Sequence, residues 1–373
     1  MSSVTDTLAS VMPEPIAKRM KSTNVIGTHS GSFHADEALG VAMLRMTDEY
    51  RDADLLRTRD QAKLDTLDIV IDVGGTYDAT MNRFDHHQKG FTEIFGTGQV
   101  PTPSEPTPVA ADGSKTWFST KLSSAGLVYK HFGRHIIANK TGLKEGEPAT
   151  HTLWIKLYKE FVEGIDAIDN GISQYDAETA GSPRYSNRTD LSSRVGWMNP
   201  RWNEPFNDSV LDAKFKEASK MAGQEFENRL DYYAKAWLPA RDVVLEAVNK
   251  RFQVDPSGQI VIFNQSVPWK EHIFSLEALH SPNREAQPIL YVLYPENAEN
   301  ADAGKWRIQC VPKASEGFEN RKSLPEAWRG VRDEALSQVS GIDGCIFVHM
   351  SGFIGGNHTK QGAIEMAKKA LAA

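Results

Sequence analysis

The chain has 373 residues, 40% of them apolar, which is more than one ordinary core accommodates and points to two domains. A charged fraction of 24% without long repeats excludes collagen, coiled coil and wholesale disorder. The formal net charge of −7 argues against bulk electrostatic capture of nucleic acid, though divalent metals in an acidic cleft can supply the missing positive charge.

Residues 1–23 lack an apolar run of signal-peptide type and carry Asp6 and Glu14 beside a basic cluster of Lys18, Arg19 and Lys21. A disordered tail is expected, with a nuclear-entry signal as the other reading. From Val25 a strand, VIGT, runs into the polar loop HSGSFHAD, and EALGVAMLRMTDEY has helical periodicity. ADLLRT and DIVIDV read as buried strands, the second ending at Gly74-Gly75. Alternating strands and helices imply a parallel α/β sheet, whose chemistry sits beyond the carboxyl ends of its strands.

Residues 96–116 are a Pro/Thr/Gly-rich insertion, expected as a flexible loop. Helices are expected near 123–137 and 151–170, and across 207–252 with a break at Pro239. A second alternation comes next: IVIF, PILYVLY, WRIQCVP, a helix around 326–339, CIFVHM, the Gly-rich turn SGFIGGN and a closing helix over 358–372. The fold class is therefore α/β in two lobes. A parallel-sheet catalytic domain spans 24–195, and a helical connector with a smaller α/β domain spans 207–372. No apolar stretch reaches the ~18–20 residues of a membrane span, so no membrane partner is expected. Cys310 and Cys345 cannot form a disulfide framework, which suits a reducing, intracellular setting.

Four of the 11 histidines, His29, His34, His86 and His87, interleave with Asp36, Asp72 and Asp85 at strand ends and turns. If those strands are neighbours, the imidazoles and carboxylates face one cleft. Mixed nitrogen and oxygen donors suit Mn²⁺, Zn²⁺, Fe²⁺ or Co²⁺. Six or seven candidate ligands exceed one tetrahedral ion, whereas two ions ~3.5–4 Å apart sharing a carboxylate would use them all.

HSGSFHADEALG, DVGGTYD, RFDHHQKGF, KLSSAGLVYKHFG, AIDNGISQ and VSGIDGCIFVHMSGFIGG resemble the melanocyte-proliferating-gene family, related to the DHH phosphoesterases, over nearly the whole chain. The resemblance implies a metal-dependent 3′-to-5′ exonuclease acting on single-stranded RNA, or DNA, in nucleus and mitochondrion, with the cytoplasm also open. It implies two divalent ions, Mn²⁺ or Mg²⁺, held by His29, His34, Asp36, Asp72, His86 and Asp169. His34 stands where that superfamily usually has an aspartate. Asp72 would bridge the ions, Asp85 would orient His86, and His87 would face the scissile phosphate. Asp166, three residues before Asp169, is the alternative fourth-motif ligand.

In the second lobe the resemblance assigns substrate contacts to Ser351, Gly352, Gly355, Gly356 and His358. Arg329 and Arg332 are added as phosphate contacts. His131 and His135 have metal-ligand spacing without an accompanying carboxylate and are read as surface or packing residues. Trp197 and Trp202, near Asn199-Pro200, have the chemistry to stack on bases, but tryptophan is ordinarily a core or interface residue and they are left out of the site. Two further functions stay open: a small-substrate phosphohydrolase, for pyrophosphate or a short oligonucleotide, and a non-catalytic metal-stabilised scaffold. The oligomeric state is open too, a homodimer included.

Overall fold

The computed structural model describes residues 23–96, 118–175, 181, 185–280, 287–297, 304–315 and 317–373. The expected tail and the 96–116 insertion lie outside the described residues, except for Thr23 and Gly96.

The first lobe opens with β1 (Val25–Thr28), α1 (Ala35–Leu44), β2 (Asp54–Arg57), α2 (Gln61–Leu64), β3 (Ile69–Ile71), β4 (Tyr77–Asp78) and β5 (Arg83–Phe84). The strands form one sheet in the order β2-β1-β3-β5-β4. β1, β2, β3 and β5 are parallel, and β4 is an antiparallel edge. The β3 sequence IVI is wholly buried, as a strand covered on both faces requires. The carboxyl ends of β1, β3 and β5 therefore lie side by side.

Helices α3 (Ser124–Thr141), α4 (Pro148–Leu157), α5 (Glu163–Asp169), α6 (Leu191–Gly196) and α7 (Asp208–Tyr232) complete this lobe. α1 packs against α3 and α7 as well as the sheet, so all its residues are buried, Asp36 and Glu37 among them. Gly40 permits that depth: a Cβ there would lie 2.8 Å from Ile71 Cδ1.

The expected helix over 151–170 is α4 and α5 joined by a π-helical turn at Tyr158–Val162. The break expected at Pro239 does not occur. α7 continues through a second π turn, Tyr233–Trp237, into α8 (Leu238–Val254). Pro239 falls in the first turn of α8, where the wider π turn before it makes room for its ring and its missing N–H.

The second lobe contains β6 (Ile260–Ile262), α9 (Lys270–His280), β7 (Tyr291–Pro295), β8 (Trp306–Cys310), α10 (Asp333–Ser340), β9 (Cys345–Val348), β10 (Ile354–Asn357) and α11 (Lys360–Ala372). Its sheet runs β6-β7-β8-β10-β9, and only the β6–β7 pair is parallel. The Gly-rich stretch expected as a turn is mostly strand β10, inserted between β8 and β9. Gly355 and Gly356 allow the insertion, since a Cβ at Gly355 would lie 2.9 Å from Phe347 O. One core surrounds α1, and two others cover the faces of the second sheet. An ion pair from Lys156 on α4 to Glu271 on α9 ties the lobes. Cys310 and Cys345 are buried free thiols. Among the described residues no helix is long and apolar enough to cross a membrane.

Candidate metal centre

The parallel register of β1, β3 and β5 brings together the residues just beyond each strand's carboxyl end. His29 comes after β1, Asp72 after β3, and Asp85, His86 and His87 after β5. Asp72 has a left-handed backbone, φ 58°, a strained conformation for a residue with a side chain. Its N–H still donates to Phe84 O at 3.1 Å, so the strand pairing holds the strain. Asp72 Oδ2 lies 3.3 Å from His29 Nε2, and its Oδ1 lies 3.5 Å from His86 Nε2. Ser124, at the start of α3, donates to Oδ1 at 3.1 Å.

His34 and Asp36 enter from the first turn of α1, and Asp169 enters from the last residue of α5. His86 Nε2 lies 3.1 Å from Asp169 Oδ2, yet neither ring nitrogen of His86 makes a hydrogen bond of good geometry. Three overlapping clusters result: His29, His34, Glu37 and Asp72; Asp72, His86 and His87; His34, Asp36 and Asp169. They open onto a cavity of about 420 Å³ whose walls include His34, Asp36, Asp72, His87 and Asp169.

Two neighbouring carboxylates hold the frame. Asp85 accepts from Gly75 N at 2.6 Å and lies 2.7 Å from His87 Nδ1. The resemblance implies Asp85 as the orienter of His86; its hydrogen bonds in the structure go to His87 and Gly75 instead. Asp166 is wholly buried and accepts from Ser123 N (3.0 Å), Ser123 Oγ (2.7 Å), Gly126 N (3.0 Å) and Tyr158 Oη (2.8 Å). Its lone pairs are spent on clamping α5 to the start of α3, so of the two fourth-motif carboxylates it is Asp169 that faces the cluster.

Sequence reasoning misses Glu37. It is fully buried, accepts from His34 N at 2.8 Å and lies 3.0 Å from His29 Nε2. Its signal is its place beside Asp36 in the first turn of α1, but a glutamate there also reads as an ordinary capping residue.

The charges of the cluster oppose one another. Burial lowers the pKa of His29, but Asp72 and Glu37 outweigh it and raise it to about 10. Against the same burial penalty, Asp169 and Asp72 raise His86 to about 9. Burial pushes Asp72 up, but the two imidazoles overcome this and hold it well below the carboxylate range. Asp36 has no such partner: burial, then the charges of Asp72, Glu37 and Asp169, push it well above its ordinary value. Both oxygens of Asp36 are buried without a hydrogen-bond partner. Orphaned carboxylate oxygens beside three further acids and several imidazoles fit a divalent cation.

The second-lobe candidates sit elsewhere. Gly352, φ 69°, turns β9 into β10, and Ser351 Oγ lies 2.9 Å from His349 Nδ1. Gly355 and Gly356 lie within β10, and exposed His358 precedes α11. Arg329 Nε donates to Leu324 O at 3.0 Å, and Arg332 leads into α10 beside Phe347. None of these residues lines the cavity of the metal cluster. His131 Nε2 lies 2.8 Å from the Tyr77 hydroxyl, and His135 pairs with Asn139 on its own helix. Trp197 and Trp202, expected in a core or an interface, are exposed.

A parallel α/β lobe with imidazoles and carboxylates beyond its strand ends defines an α/β protein whose cleft carries side chains able to hold a metal ion. Sequence comparison places it further. The model of the MYG1 exonuclease family, described as Uncharacterised protein family (UPF0160), matches residues 25–371, and the chain belongs to that family. It is 51% identical to the human protein named MYG1 exonuclease over 348 residues, 93% of this chain and 85% of that one. It is 48% identical to the mouse MYG1 exonuclease over 364 residues, 96% and 89% of the two chains. It is 41% identical to the Saccharomyces cerevisiae MYG1 protein YER156C over 355 residues, 94% and 97% of the two. No solved structure matches significantly.

The site's charges and hydrogen bonds set two expectations. His29 and His86 must be deprotonated to ligate, and with metal-free pKa values of about 10 and about 9 both are protonated at neutral pH. Their imidazolium form stabilises the metal-free fold fully below about pH 6.5, and that stability is lost as pH rises through about 9–10. Metal competes with those protons, so binding weakens with falling pH from well above the threshold of about pH 6 set by unperturbed imidazoles. Calorimetric titration with Mn²⁺ in buffers of different ionisation enthalpy should show proton release at neutral pH and tighter binding at about pH 8–9; uptake without proton release would remove these imidazoles from the coordination shell. Separately, Asp166→Ala should cost about 3 kcal/mol or more in thermal or urea unfolding because it strands buried donors. Asp169→Ala should weaken Mn²⁺ binding and cost less metal-free stability than Asp166→Ala, since it gives up only the pairing with His86, and the reverse pattern would exchange their roles.

Proposed function

We propose that this protein is a metal-dependent 3′-to-5′ exonuclease that hydrolyses phosphodiester bonds of single-stranded RNA at a centre of two Mn²⁺ or Mg²⁺ ions, acting in nucleus and mitochondrion. The observation that carries the reading is the buried, unpartnered carboxylate of Asp36 beside an Asp72 shared by two of the ligand clusters. The names of the mammalian relatives, MYG1 exonuclease, support the reaction class. The direction, the preference for RNA and the sites of action rest on the family resemblance.

His29, His34, Asp36, Asp72, His86 and Asp169 would hold the ions, with Glu37 as a further donor. When bound, divalent ions make hydroxide available from water at neutral pH and offset charge on the reacting phosphate. Asp72 presents one oxygen toward each of His29 and His86, as a shared ligand must. Asp85 fixes the His87 ring through Nδ1, and His87, its side chain 62% exposed, lines the cavity with its Nε2 not engaged by Asp85. From there His87 can donate to a phosphate oxygen or give a proton to the departing alkoxide. Ser124 and Glu37 keep the Asp72 and His29 side chains from turning away.

The test is incubation of the purified protein with end-labelled single-stranded RNA, with and without Mn²⁺. A 5′ label should give a ladder of shortening products and a 3′ label should be released at once as mononucleotide. Intact RNA together with pyrophosphate cleavage would favour the small-substrate alternative. Asp72→Asn keeps a residue that tolerates the left-handed backbone, and it should lower kcat at least about a hundredfold. His87→Ala should lower kcat about a hundredfold or more while Mn²⁺ still binds. Wild-type turnover in Asp72→Asn would end the two-metal reading.

A further inference from the structure

We propose that Trp197 and Trp202 form a stacking track for the bases of a single-stranded nucleic acid, leading its end into the metal cleft. The inference rests on the exonuclease reading and adds to it the surface that receives the polymer.

Trp197 is 76% exposed and Trp202 94% exposed. Their setting makes this more than scattered surface. α6 is fixed by its inward side, where Val195 is fully buried and Leu191 and Met198 pack against the first core. Its other side carries Ser192, Ser193 and Gly196, which line the same cavity as His34, Asp36 and Asp169. Trp197 is the next residue after that wall.

The chain is then pinned. The Asn199 carboxamide accepts from Phe33 N at 3.0 Å and donates to Phe33 O at 2.8 Å. Phe33 immediately precedes His34, so the loop bearing both indoles is bolted to the metal-binding turn. On α5, Ile168 is 52% exposed, lines the cavity and adjoins Asp169, giving the cleft an apolar surface on another of its walls.

An indole offers a broad π-face to any base, so stacking suits an enzyme that must pass every sequence through one site. A protein partner would also cover these indoles. The observation that favours a polynucleotide is position: Trp197 directly follows Gly196 in the wall of a cavity lined by imidazoles and carboxylates, and Asn199, between the two indoles in sequence, is tied to the turn that carries His34. Trp197, beside the wall, takes the base next to the terminal nucleotide, and Trp202 takes one further along the strand.

Binding separates the track from the chemistry. A fluorescein-labelled single-stranded RNA of about 12 nucleotides, within the usual range of site sizes, is titrated by anisotropy against the full chain carrying Asp72→Asn, which slows turnover enough for binding to be read. Adding Trp197→Ala or Trp202→Ala should weaken binding about tenfold each. Trp197→Phe should recover most of the loss, which a purely structural role would not predict. In the otherwise wild-type chain the same changes should raise KM for long RNA more than they lower kcat. RNA affinity unchanged in the double Trp→Ala variant overturns the proposal. If that variant also shifts from dimer to monomer in sedimentation, the patch is instead a contact between copies of this chain. Failure of the unmutated protein to shorten RNA would defeat the functional reading itself, a separate result read in a separate assay.

Discussion

Negative charge taken out of water governs the first lobe. Asp36, Glu37 and Asp72 are 1%, 0% and 4% exposed, and Asp169 stands beside them. Ions left uncompensated in such a place cost several kcal/mol each, so a carboxyl there either keeps its proton, as its surroundings favour at Asp36, or needs a cation beside it. In the metal-free chain the cations are the protonated imidazoles of His29 and His86. The local geometry serves this concentration of acids: the strained backbone of Asp72, the deep placement of α1 under Gly40, and the clamp that Asp166 sets on α5. A divalent ion bound there would relieve the same repulsion and leave the imidazoles to act as neutral donors.

Much of this was legible in the sequence because parallel sheets are regular. Short apolar runs ending in His29, Asp72 and Asp85–His87 needed only to be neighbours for their ends to meet, and the β2-β1-β3-β5 order makes them so. The division into two α/β lobes was legible for the same reason, from two separate alternations of strand and helix. Glu37 was hidden because its position in the first helical turn has an ordinary explanation. Asp166 and Asp169 are one helical turn apart, and only three-dimensional contacts separate the clamp from the carboxylate that faces the cluster.

The second lobe was harder to read. Glycines conventionally mark turns, and Gly355 and Gly356 instead make a central strand that fits because it lacks side chains. Pro239 conventionally stops a helix, and a preceding π turn absorbs it. The exposure of Trp197 and Trp202 has no sequence signature at all. It depends on which side of a six-residue helix the core claims, and Val195 decides that.

The Asp166 clamp has a temporal consequence for synthesis. A nascent chain displays His29, His34, Asp36, Asp72 and Ser124 early, but Asp166 cannot clamp the start of α3, nor Asp169 reach His86, until α5 has left the ribosome. Until then the early donors sit on a sheet whose five strands are already synthesised but lack the carboxylate that α5 supplies. Tight loading of a cation would thus wait for α5 to emerge, which would make ion capture a late step in the folding of the amino-terminal half.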